Sequence, residues 1–154
     1  MTDSTAATKE LVITRIFDAP RELVYQAFTD PGQLAQWFGP VGYSVPRDTV
    51  EIDVRVGGHQ RFVMVNDEDP NFKSPVNATF TEVIENELLV ATEDWDGVPG
   101  LQEGGTMSLR LEFHDEEGKT RLVVRQGPYV EQMEGMAREG WGSSFTKLDT
   151  LLAG

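Results

Sequence analysis

Apolar and polar residues alternate in several short runs along this chain, and a longer run near its C-terminal end repeats apolar residues every three or four positions. Ile13, Arg15 and Phe17 alternate with Thr14 and Ile16, as a strand's period of two requires. Val50, Ile52 and Val54 alternate with Thr49, Glu51 and Asp53, the Gly57-Gly58 pair signals a tight turn, and His59 to Val65 reads as the returning strand of a hairpin. Val76 to Ile84 and Leu88 to Trp95 follow as two further strands with a turn at Asn86. The cleanest strand is Thr106 to His114, with Met107, Leu109, Leu111 and Phe113 on one face and Thr106, Ser108, Arg110 and Glu112 on the other. A turn over 115–118 then leads into a strand from Thr120 to Gln126. Polar, proline- or glycine-bearing stretches at 66–75 and 96–105 read as loops.

Helical signals lie in two places. Asp18 precedes Pro20 and Asp30 precedes Pro31, so each carboxylate can accept the orphan N–H groups of a first turn while the proline forfeits nothing. Gln33 stands three residues after Asp30, as a reciprocal capping box needs. The second of these short helices ends at Trp37-Phe38, before Gly39-Pro40. From near Val130 to about Leu151 the residues Met133, Met136, Ala137, Trp141, Phe145 and Leu148 form one apolar stripe on a long helix, and all six are expected to be buried. Gly135, Gly140 and Gly142 lie inside that helix, each at about 1 kcal/mol of lost propensity relative to alanine. Either close approach to a sheet or a cavity beneath the helix would account for them.

The order is strand, two short helices, six strands, long helix. Hairpin-length connections make the strands antiparallel neighbours, and only the last helix is long enough to cover their apolar face. The predicted fold is therefore α+β, with a curved seven-stranded antiparallel sheet wrapped round the C-terminal helix. Such a sheet seldom fills its concave side, so a pocket between sheet and helix is the expected binding site.

Four stretches then resemble a known group: FDAPRELVYQAFTDP (17–31), LAQWFGP (34–40), EIDVRVGGHQRF (51–62) and GWGSSFTKLDTLL (140–152). In this order they resemble the SRPBCC (START/birch-pollen-allergen-like, helix-grip) superfamily, and within it the branch related to the activator of the heat-shock-chaperone ATPase. The likeness spans roughly residues 9 to 153. It implies a helix-grip fold and a group of roles that includes lipid and hydrophobic-ligand carriers, polyketide cyclases, co-chaperones and stress-response proteins. Fold alone does not choose among them.

Composition narrows the classes. The 154 residues suit one domain over 9–154 behind a polar lead-in at 1–8 that has no secretory apolar core. With 13 Lys+Arg against 26 Asp+Glu the formal net charge is −13, which repels phosphate backbones and anionic lipid. Nucleic-acid partners and membrane insertion are therefore not expected, and no window approaches the ~20 apolar residues of a membrane span. Cysteine is absent, so disulfides, thiolate metal sites and cysteine nucleophiles are excluded, and a cytoplasmic setting is the expectation.

Candidate site residues follow from the pocket. Trp37 and Phe38 either plug one end of the sheet or rim a pocket mouth. Trp141 sits on the inner stripe of the long helix as packing wedge, cavity wall or both. Met64, Met107 and Met136 can line an irregular cavity, as can Met133, because thioether chains adapt to varied shapes. Phe80 and Trp95 sit on central strands with the same two readings. His59 and Arg61 share a strand parity and are the polar candidates for orienting a ligand's carboxylate or hydroxyl, unless that side of the strand faces solvent. Asp53 and Arg55 read as an ion pair beside the glycine turn. His114 with its acidic neighbours lacks a second histidine at ligand spacing, and 67–69 lacks the glycine and terminal glutamate of a calcium loop, so no metal is assigned. No catalytic residue and no cofactor are assigned either. The reading is a soluble module that holds a small hydrophobic or amphipathic ligand. Its alternatives are a co-chaperone-like domain with a protein partner, and a cyclase or hydrolase using His59 as acid and base.

Overall fold

In a computed structural model, which describes residues 8–94 and 106–153, the alternating runs form a single antiparallel sheet and the three/four pattern forms the helix lying across it. The elements are β1 (Thr8–Phe17), α1 (Arg21–Thr29), α2 (Pro31–Trp37), β2 (Tyr43–Ser44), β3 (Glu51–Ile52), β4 (His59–Asn66), β5 (Lys73–Ile84), β6 (Leu88–Asp94), β7 (Thr106–Glu116), β8 (Lys119–Val130) and α3 (Glu131–Ala153). The sheet order is β1-β8-β7-β6-β5-β4-β2, with β3 also paired to β4. This is the helix-grip arrangement, with eight strands where seven were expected. The difference lies at one edge. The apolar alternation of 49–54 yields only the two-residue β3, because a 3-10 turn occupies Arg47–Thr49. β2 takes the other half of the β4 edge, Tyr43 opposite Asn66, while Glu51 lies opposite Arg61. Pro46, which cannot donate to a ladder, lies between the two short strands.

The expected caps differ at the two short helices. Asp30 Oδ1 accepts the Gln33 N–H at 3.0 Å and Pro31 opens α2, as the sequence requires. The cap position of α1 is Pro20 itself, with no side-chain cap, so Asp18 stands too far upstream to serve. Both helices lean on one end of the sheet, where Phe17, Phe28, Trp37, Phe113 and Phe145 are fully buried. Edge-to-face contacts lock them: Phe28 with Trp37 at 4.8 Å, Phe17 with Phe145 at 5.2 Å and Phe28 with Phe113 at 5.6 Å between ring centres. The Trp37 indole N–H reaches the Ala27 carbonyl at 2.9 Å, so its one polar atom is satisfied inside this plug.

α3 matches its expected span to within two residues at its C-terminal end. Trp141, Phe145 and Leu148 are buried and Ala137 is partly so. Met136 departs from the expectation: it is 64% exposed, because the space beside it towards the sheet is open rather than packed. The lead-in before Thr8, Trp95 and the side chain of Met133 lie outside the described residues. No helix among the described residues is long and apolar enough to cross a membrane.

A cavity between the sheet and the C-terminal helix

The aromatic plug fills one end of the concave face; the other end is hollow. A cavity of about 410 Å³ lies there, between the strands and the N-terminal half of α3. Phe62 and Met64 from β4, Ala91 from β6, and Met107, Leu109 and Leu111 from β7 form its sheet wall. Ala137, Gly140 and Trp141 of α3 cover it, with Met136 beside them and Phe38 closing the end nearest α2. Phe38 sits edge-on to Phe62 at 4.8 Å and to Trp141 at 5.8 Å, which gives three ring surfaces on one side. The hollow has a sequence cause. Ala78 and Ala91 project from central strands, and a Cβ added to Gly140 would meet nothing within 4 Å. Small residues on both walls leave the space that leucine or phenylalanine would have filled. Of the two explanations for glycine in α3, the cavity fits Gly140, and none of Gly135, Gly140 and Gly142 makes a close backbone approach.

A few polar groups interrupt this apolar wall. Gln126 Oε1 accepts from the Tyr129 hydroxyl at 2.7 Å and from the Trp141 indole N–H at 2.8 Å. An indole nitrogen only donates, so the amide oxygen must face it and the Gln126 Nε2 hydrogens are turned elsewhere. Burial, and secondarily the nearby Glu93 charge, push the Tyr129 phenol well above its usual range, so it stays a neutral hydroxyl. Glu93 lies in a register row with Gln60, Ala78 and Met107 across β4, β5, β6 and β7. Its Oε2 accepts the Asn77 backbone N–H at 3.3 Å. Burial raises the Glu93 carboxyl above the ordinary carboxylate range, and the Asn77 bond opposes that only in part.

The candidates read from the sequence divide between this cavity and other places. Phe38, Met64, Met107, Met136 and Trp141 are on its wall. Trp37 is in the aromatic plug, and Phe80 is a buried core residue beside the cavity rather than on its wall. His59 and Arg61 are on the opposite side of β4. His59 Nε2 lies 3.1 Å from Glu51 Oε1 on the neighbouring strand, and Arg61 Nε donates to Asn77 Oδ1 at 3.1 Å. Residues 61 and 64 are three apart on one strand and so face opposite sides. Phe62 and Met64 take the concave side, which turns His59 and Arg61 outward. Asp53 and Arg55 form the expected pair at 2.7 Å, and a Cβ on Gly58 would lie 2.1 Å from the Asp53 carbonyl oxygen, so that turn requires glycine. His59→Gln is accordingly expected to leave binding in the cavity unchanged and to lower stability by no more than about 1 kcal/mol, the range of an exposed ion pair. Calorimetric titration and a denaturant melt check both parts.

Glu93, Gln126, Tyr129 and Gln60 were not singled out from the sequence. The signal for Glu93 was masked, because Leu88, Leu89, Val90 and Ala91 make both parities of β6 apolar; the structure shows that Leu89 and Ala91, on Glu93's parity, are the ones that join the core cluster. A carboxylate at a core parity is an exception to polar-outward alternation, and such exceptions mark sites.

Comparison with known proteins places this geometry in a family. Residues 18–153 match the family model described as activator of Hsp90 ATPase homolog 1-like protein. A crystal structure of a Chromobacterium violaceum protein superposes with a TM-score of 0.81 at 25% identity, covering 93% of this chain and 96% of that one. The AHSA1 protein of Silicibacter pomeroyi superposes with a TM-score of 0.76 at 26% identity, covering 94% and 98%. CalU16 of Micromonospora echinospora, at 19% identity and a TM-score of 0.67 over 94% of this chain and 76% of that one, shares the fold. No curated protein matches the chain significantly.

Proposed function

The chain belongs to the activator of Hsp90 ATPase homolog 1-like family, and we propose that it works as a binding module, holding a small hydrophobic or amphipathic molecule between sheet and C-terminal helix. The observation that carries this reading is the cavity of about 410 Å³, within the size range of small-molecule sites and lined mainly by aromatic, aliphatic and thioether side chains with a few polar groups among them. His59 does not line this cavity: its ring pairs with Glu51 on the other side of β4, so the pocket itself draws no support for the acid–base alternative from it.

Of the two tryptophans among the described residues, Trp141 is the reporter, since its ring lies on the cavity wall while Trp37 is sealed in the plug. Titration with the neutral dye Nile red or with a polycyclic aromatic hydrocarbon is expected to change tryptophan emission with saturation, and Trp141→Phe is expected to remove most of that change. A flat response across neutral apolar compounds, with no dye bound, would refute the binding reading.

A further inference from the structure

The cavity wall is uneven in charge. Among the described residues that line it, Glu93 supplies the only carboxyl and none is a lysine, arginine or histidine. Oε2 of Glu93 is held by Asn77, while Oε1 has no protein partner among the described residues. The Gln60 amide nitrogen reaches towards the Phe28 carbonyl at 3.4 Å, which leaves its oxygen as a second acceptor on the same register row. A carboxylate partly stripped of water and lacking a counter-charge is relieved by an incoming cation. A second carboxylate would meet like charge with no cation among the described wall residues to offset it, which is discrimination by repulsion. The rings of Phe38, Phe62 and Trp141, packed edge to face, form an aromatic wall that suits an apolar body.

Resting on the binding reading above, we infer that the ligand is an amphipathic amine, with its apolar body against the ring wall and its protonated nitrogen at Glu93, and that acidic ligands such as fatty acids are rejected. Glu93 is then the residue that sets specificity.

Three ligands with one naphthalene body separate the possibilities by calorimetry at pH 8: 2-naphthylmethylamine, 2-naphthylmethanol and 2-naphthoate. The amine is expected to bind ~10-fold or more tighter than the naphthoate, as a charge-assisted hydrogen bond gained in one case and lost in the other implies. Glu93→Gln keeps the side chain's shape and its acceptor for Asn77. It is expected to weaken the amine ~10-fold while changing the alcohol less than ~3-fold. Glu82→Gln, an exposed position, removes the same unit of charge from the surface and is expected to leave the amine preference intact. That control matters because a net charge of −13 attracts any cation weakly. Preference for naphthoate overturns the inference, and so does an amine preference that survives Glu93→Gln; both leave the cavity's binding role standing. Binding of none of the three, together with no uptake of Nile red, overturns the binding role and the inference with it.

Discussion

Leu148→Ala is expected to destabilise the protein by about 2–5 kcal/mol, the range for removing a large aliphatic side chain from a core that relaxes only partly. Leu148 has no exposed surface and shares the buried cluster with Phe17, Phe113 and Phe145. This is the end of α3 that the aromatic plug fixes to the sheet. Met136→Ala, on the same apolar stripe but at the hollow end, is expected to lose under about 1 kcal/mol, since an exposed side chain forfeits little burial. Denaturant melts of the two variants measure the contrast. A loss below about 0.5 kcal/mol for Leu148→Ala would mean that the helix is not anchored through this end. A large loss for Met136→Ala would mean that the cavity is collapsed in solution.

That contrast explains which parts of the molecule were legible in the sequence. Strand β7 could be read residue by residue, because Met107, Leu109, Leu111 and Phe113 are its only large apolar residues and all take the concave side. Strand β4 could not, because Val63 and Val65 compete with Phe62 and Met64 and make both parities look apolar. Bulk decides it: Phe62 takes the core, and His59 and Arg61 turn outward with their odd-numbered neighbours. β5 adds a break that alternation hides. A register shift between Phe80 and Glu82 inserts one residue, so Ala78 and Phe80 face inward and the next core-packed residue is Val83. The long helix was legible as a helix and as an apolar stripe, but a stripe says only which side faces the sheet. It does not say whether sheet atoms fill the space opposite, and that is decided by Ala78 and Ala91 on other strands. The polar residues of the cavity were harder still. Gln126 gains meaning only when Tyr129, three residues on, and Trp141, on the next element, both donate to its oxygen.

Gly140→Leu is expected to separate binding from folding. Glycine inside a helix costs about 1 kcal/mol relative to a good helix former, and leucine ranks close to alanine on that scale. A side chain started at Gly140 enters open space, beside Met136, Ala137 and Ser144 on the cavity wall. Leucine there meets no backbone it must displace, so the variant is expected to be as stable as the parent or up to about 1 kcal/mol more so. The same four carbons occupy room that a ligand would use, and the variant is expected to bind Nile red at least ~10-fold more weakly, equivalent to about 1.4 kcal/mol of lost contact. The variant is thus expected to weaken binding without lowering the melting midpoint. Unchanged affinity would place the ligand somewhere other than beneath α3. A loss of stability above about 1 kcal/mol would show that the helix lies closer to the sheet than the open space at Gly140 requires.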